Sequence, residues 1–299
     1  MKSRVLLIHH AANRDHPHPR NSLRALKACL TAGARAVEVD ISLLADGQFA
    51  LLHGPLLEPE TTGSGPVSAH TTDQVRGLHY VRQGEVTDVP VSLLSEITGL
   101  LCRHPDPIEL QLDLKADAFH PSAVLAQLAA DLQPVKHQVR VTSPADWALR
   151  GLRAIDPDLP LGFDPQLYLT PDSGAARDAM VPPFRLGDNG YWDDHPLANR
   201  RWNEPAEYLA ARAETLWAQA PTGATWHISA RLLGRVLDDG FDWIAFLHAK
   251  GVQVAAWTLD SQHPEQVALA RRMAAQGVDC ITTNDAPILA EALGSGAVY

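Results

Sequence analysis

The chain has 299 residues, 45% of them hydrophobic and 20% charged, a composition that excludes a disordered, tail-like polymer and supplies ample apolar surface for a core. Lys and Arg number 25 against 35 Asp and Glu, and the resulting charge of −10 disfavours a sequence-independent grip on nucleic acid or an anionic membrane, since both need a positive field. A phosphate-bearing substrate would have to meet a local positive centre, such as a metal ion.

In chain order, Arg4–Ile8 is a short run rich in β-formers that predicts a first strand ending at His9. This run is too short for a signal peptide, and no stretch approaches the roughly 20 apolar residues of a bilayer span, so a cytoplasmic protein without a transmembrane segment is expected. Ser22–Ala32 carries apolar residues at helical spacing, with Asn21 as N-cap and Gly33 as stop. Ala36–Leu44 alternates as a strand, with Val37, Val39 and Ile41 on one face and Glu38, Asp40 and Ser42 on the other. Asp46-Gly47 predicts a hairpin turn into a return strand, Phe49–Leu52, which ends at His53. Residues 54–92 look like a loop insertion.

Further along, the alternation predicts strands at Ile108–Leu114, Val139–Thr142 and Leu159–Phe163, with helices at Ser122–Leu132 and Pro144–Ile155. Residues 164–225 resist assignment and are expected to be a second loop insertion. A long helix over Leu232–Lys250 follows, then a strand at Val252–Leu259, a helix at His263–Ala275 stopped by Gly277, and a strand at Cys280–Thr283. Repeated strand-then-helix units without a glycine-rich nucleotide fingerprint favour a single domain, residues 1–299, built as a parallel barrel. Cys29, Cys102 and Cys280 are widely spaced, form no CxxC pair, and are expected to be reduced and buried.

The polar residues of interest fall near the carboxyl ends of these strands, where barrels of this kind build their sites. Glu38 and Asp40 are two apart, so both project to one face, and Asp113 and Lys115 repeat the spacing. A buried carboxylate pair is costly unless neutralised, and a hard cation such as Mg²⁺ or Ca²⁺ does so with oxygen ligands. With His9 and His53 nearby, the set suits metal-assisted attack on a phosphodiester. Read singly, Glu38 and Asp40 also fit a solvated face, Asp113 with Lys115 an ordinary salt bridge, and Trp257 a core residue.

Together these pieces resemble the glycerophosphodiester phosphodiesterase family. The resemblance rests on His9, Asn21-Ser22, Glu38-Val39-Asp40, Asp46-Gly47, His53, Asp113-Leu114-Lys115, Trp257-Thr258-Leu259-Asp260 and the stretch from Gly277 to Asn284. It implies a (β/α)₈ TIM barrel of the PLC-like phosphodiesterase type that hydrolyses a glycerophosphodiester to an alcohol and sn-glycerol 3-phosphate. His9 and His53 would be the catalytic acid/base pair, Glu38, Asp40 and Asp113 would hold one divalent cation, and Lys115, Trp257 and Arg20 would bind substrate. The chain departs from the pattern in three ways: His10 and Ala11 follow the first histidine in place of Arg and Gly, Arg20 replaces a Glu, and Gly54 replaces an Asp. The His53-Gly54 pair and the Trp-Thr-x-Asp stretch are similar to the sphingomyelinase D-like phospholipases, which would release a cyclic phosphate from a lysophospholipid. A non-catalytic phosphodiester-binding barrel is the reading from a different class.

Overall fold

The computed structural model describes residues 4–14, 17–104, 108–116, 118–177, 180–294 and 297–299. Eight strands form the central sheet: β1 (Val5–His9), β2 (Ala36–Leu43), β3 (Glu109–Leu114), β4 (Val139–Ser143), β5 (Leu161–Phe163), β6 (Thr225–Ser229), β7 (Val254–Trp257) and β8 (Cys280–Thr283). Each pairs in parallel with the next, and β8 returns to β1, so the sheet closes on itself. Closure leaves no open edge in the ring, and the helices that follow the strands cover its outer face.

The principal outer helices are α1 (Leu23–Thr31), α2 (Leu94–Leu101), α3 (Ser122–Leu132), α4 (Asp146–Ile155), α5 (Pro205–Gln219), α6 (Ala230–Asp238), α7 (Pro264–Gln276) and α8 (Ala286–Leu293). In the core between strands and helices, Val37, Val39 and Ile41 of β2 are buried together with Leu26 and Cys29 of α1. Side chains paired in register along a parallel sheet point to the same side. Asp40 pairs with Asp113, Asp113 with Thr142, and Thr142 with Gly162, so one layer of the barrel interior runs from the β2 acids around to β5.

Several predicted elements take a different form. Ser22, not Asn21, caps α1, its hydroxyl accepting from the Ala25 N–H. Residues 54–92 are not a plain loop. They contain a short helix (Thr72–Arg76) and an antiparallel pair (His79–Arg82 with Glu85–Pro90), and Leu57, Val67, Val75, Tyr80 and Val89 give them a small core with Leu44 and Leu52. Residues 164–225 hold the whole of α5 and lead into β6 at Thr225. The long helix predicted over Leu232–Lys250 is two helices, α6 and a second at Trp243–Ala249, because Gly240 turns the chain with φ +87°. All three cysteines are free, but Cys102 is exposed, lying just beyond α2 where the chain leaves the core. No helix among the described residues is long and apolar enough to cross a membrane.

Candidate active site

The carboxyl ends of β2 and β3 bring Glu38, Asp40 and Asp113 together, with one oxygen from each within 4.8 Å of the others. Lys115, just past β3, bridges two of them, its Nζ 2.5 Å from Asp40 and 2.7 Å from Asp113. Asn21, held at a positive φ before α1, donates from Nδ2 to Asp40 at 2.6 Å and accepts the Asp40 N–H at 3.1 Å. Glu38 accepts the Ala11 N–H at 2.7 Å. Burial, reinforced by the charges of Asp40 and Asp113, pushes the Glu38 carboxyl well above the usual range. Burial also works against ionised Asp40, but Lys115 and His53 outweigh it and hold that carboxyl below the usual range. For Lys115, burial is likewise outweighed, here by Asp113, Asp40 and Glu38, which keep the ammonium protonated above its ordinary value.

The acids line one of two neighbouring cavities, and Asp40 lines both. The narrower, about 250 Å³, is lined beyond the acids by Gln111, Thr142, Asp164, Gln166, His227 and Trp257. The wider, about 590 Å³, runs under the 54–92 insertion and is lined by Arg20, Asn21, Glu60, Tyr80 and Arg82, among others. His10, Asp40 and His53 stand on the walls of both. His53 is fixed from the insertion, where Glu60 accepts its N–H at 3.2 Å and the Gly54 N–H at 2.7 Å.

Of the histidine pair expected from the sequence, only His53 reaches these cavities. His9 pairs in register with Val37, whose side chain faces the helix layer, and it is fully buried outside the cavity walls, its ring 6.2 Å from that of Tyr299. The neighbouring ring faces the opposite way. His10 Nε2 lies 3.9 Å from Glu38, and Nδ1 lies 2.9 Å from Asn284 Oδ1. Asn284 in turn donates from Nδ2 and from its backbone N–H to Asp260, at 2.8 and 2.9 Å. This chain of partners makes Nδ1 the donor and leaves the Nε2 lone pair toward the acids. Asn284 and Asp260 belong to the late motifs already noted, but their connection to His10 spans the closure of the barrel and has no local sequence signal.

Asp164 and His227 were also not singled out from the sequence. Burial drives the Asp164 carboxyl well above its usual range. His227 fits only because Gly162 lies beside it, since a Cβ there would come within 2.7 Å of the imidazole and of Thr142 Cγ2. Burial, assisted by Arg140, pushes His227 from 6.5 down to about 3. The unfolded chain therefore takes up this proton first as pH falls, so the stability tied to neutral His227 is complete above 6.5 and declines toward 3. The loss is expected to reach about 2 kcal/mol by a pH near 5. Urea midpoints of wild type and His227→Asn at neutral and mildly acidic pH check this. The variant should lose the extra acid sensitivity, and parallel pH dependences would refute the assignment.

A parallel barrel with three carboxylates, a lysine and two histidines gathered at its C-terminal rim has the layout of a barrel hydrolase of phosphoric diesters. More specifically, the chain belongs to the glycerophosphoryl diester phosphodiesterase family, whose family model matches residues 9–163, just over half of its length. Among curated relatives, a glycerophosphodiester phosphodiesterase 1 of Rattus norvegicus is 26% identical over 270 residues, covering 87% of this chain and 73% of the relative. Among solved structures, a glycerophosphoryl diester phosphodiesterase from Parabacteroides distasonis superposes with a TM-score of 0.62 at 20% identity, covering 98% of this chain and 87% of that one. An Oleispira antarctica phosphodiesterase, in complex with the product sn-glycerol-3-phosphate, gives a TM-score of 0.61 at 17% identity, covering 97% of each chain. These likenesses agree with the barrel traced above.

Proposed function

We propose that this protein hydrolyses glycerophosphodiesters to an alcohol and sn-glycerol 3-phosphate, using one divalent cation and a pair of histidines, His10 and His53. The observation that carries this reading is that His10 and His53 line both cavities, the narrower of which holds the carboxylate cluster. The donor set suits a hard cation such as Mg²⁺ or Ca²⁺. Three carboxylates against one ammonium leave excess negative charge in a largely buried site, and burial together with that charge raises the Glu38 pKa. When bound by Glu38, Asp40 and Asp113, the cation supplies a Lewis acid for a non-bridging phosphoryl oxygen.

The remaining steps belong to the chain's own side chains. His10, with Nδ1 engaged by Asn284, takes a proton at Nε2 from the attacking water as its oxygen bonds to phosphorus. His53 gives a proton to the alcohol oxygen as the other phosphorus–oxygen bond breaks. Lys115, kept charged by the acids around it, offsets charge on the phosphoryl oxygens. Gln111, Thr142, Gln166 and Trp257 give the narrower cavity the polar groups and the apolar wall that a glycerol moiety needs. The product named in the Oleispira structure supports the same outcome here.

The reading is tested by phosphorus NMR with glycerophosphoglycerol and lysophosphatidylcholine as separate substrates, each with Mg²⁺ and with EDTA. Glycerol 3-phosphate is expected from the diester, and only with the metal. Turnover that survives EDTA would remove the cation from the reaction, a cyclic phosphate from the lysolipid would move the protein to phospholipase chemistry, and silence in every tube would leave a binding barrel.

A further inference from the structure

The wider cavity shares His10, Asp40 and His53 with the narrower one, and the proposed reaction needs a compartment on each side of the scissile phosphate. Its fixed charges are unlike those around the acids. Arg20, at the end of the loop after β1, and Arg82, on the insertion's antiparallel pair, both line it and both are exposed. Arg82 Nη1 donates to the Pro17 carbonyl at 3.2 Å, and among the described residues neither guanidinium has an acidic partner. Among the described residues, two carboxylates stand on the same wall and both are engaged: Glu60 accepts the His53 and Gly54 N–H groups, and Asp40 is bound by Lys115 and Asn21.

A quaternary ammonium headgroup is recognised by open aromatic faces or by acids with no other partner. Tyr80, the one tyrosine, tryptophan or phenylalanine side chain on this wall among the described residues, is only 2% exposed, and its hydroxyl is spent on the Asn21 and Leu51 carbonyls and on the Ser92 N–H. The cavity is therefore poor for a cation, and two arginines that form no ion pair among the described residues favour an anion.

From this we infer that the wider cavity selects glycerophosphodiesters whose alcohol carries a negative charge of its own, with Arg20 and Arg82 as the specificity-determining residues. This rests on the phosphodiesterase reading above and adds the chemical class of the departing alcohol. The position where the resemblance expects a glutamate and this chain has Arg20 becomes the point at which preference is reversed.

The test measures kcat/KM with Mg²⁺ for bis(glycerophospho)glycerol, glycerophosphoglycerol and glycerophosphocholine, whose departing alcohols are anionic, neutral and cationic. In parallel, calorimetry measures binding of the same three compounds to the doubly substituted H10A/H53A protein. Wild type should favour the anionic over the cationic diester by about tenfold, the size expected of two partly screened charges. Arg20→Glu should erase or invert that ratio, and Arg82→Glu, on a separate segment, should shift it in the same direction. A preference for glycerophosphocholine, a flat series, or an unchanged ratio in both variants would overturn the inference. Silence in turnover with the binding order intact would defeat the phosphodiesterase reading alone, whereas turnover with a flat or reversed binding order would defeat this inference alone.

Discussion

Alanine at position 10 is expected to lower kcat for a glycerophosphodiester by about 10²–10⁴-fold, the usual contribution of a positioned acid or base, with little change in melting temperature. The expectation follows from the geometry, since His10 is held by Asn284 at one nitrogen and turns the other toward Glu38. His9 gives the contrast. Its ring is buried in the same layer as Val37, so His9→Ala should act through packing, at a cost of about 2–4 kcal/mol. Steady-state kinetics and thermal melts on the two variants separate these effects. Folded His9→Ala protein without turnover beside active His10→Ala would reverse the assignment.

The largest stability effect is expected far from the acids, at the contact between α5 and the segment after β5. Arg212 is 3% exposed and Asp193 not at all. Arg212 Nε donates to Asp193 Oδ2 at 2.7 Å, the Tyr208 hydroxyl donates to the same oxygen at 2.6 Å, and the His195 N–H donates to Oδ1 at 2.8 Å. Burial, with the charge of Asp193, raises the Tyr208 hydroxyl well above its usual value and keeps it a donor. Arg212→Leu would leave a carboxylate in the core without its cation, at a cost of about 3–5 kcal/mol. The double variant Arg212→Leu with Asp193→Asn should recover part of that loss, since no buried charge is left unpaired. Urea denaturation of both proteins decides the matter, and a single variant within about 1 kcal/mol of wild type would show the pair to be dispensable. Arg212 also reaches the Tyr168 carbonyl, two residues beyond the cavity-lining Gln166, so the same substitution should raise KM as well.

The carboxylate cluster could be read from the sequence because its signal is local. Glu38 with Asp40, and Asp113 with Lys115, sit two apart on strands, and that spacing alone sends each pair to one face. The barrel was legible for the same reason, since most strands and helices carry their own periodicity. The first histidine was not. Val5–Ile8 is apolar throughout, so it gives no phase for the alternation, and only the pairing of His9 with Val37 on β2 shows which ring faces inward. The strand β6 escaped notice because its inward side carries Thr225, His227 and Ser229, polar residues lining the barrel interior, and the segment reads as loop. The break at Gly240 hid within a continuous apolar pattern, because α6 and the helix after it both turn apolar faces to the same core.

The grip of Glu60 on the backbone of His53 has a consequence for exchanging parts between related barrels. One segment, with its own small core, furnishes both a wall of the wider cavity and the carboxylate that holds the backbone of His53. On the reaction and selectivity proposed above, the two would be inherited as a single cassette. A transplanted insertion that carries Arg82 but lacks a carboxylate at position 60 would lose the acceptor of the His53 and Gly54 N–H groups. The smallest transferable unit runs from His53 through the Glu85–Pro90 strand, with Leu44 and Leu52 kept as its seat.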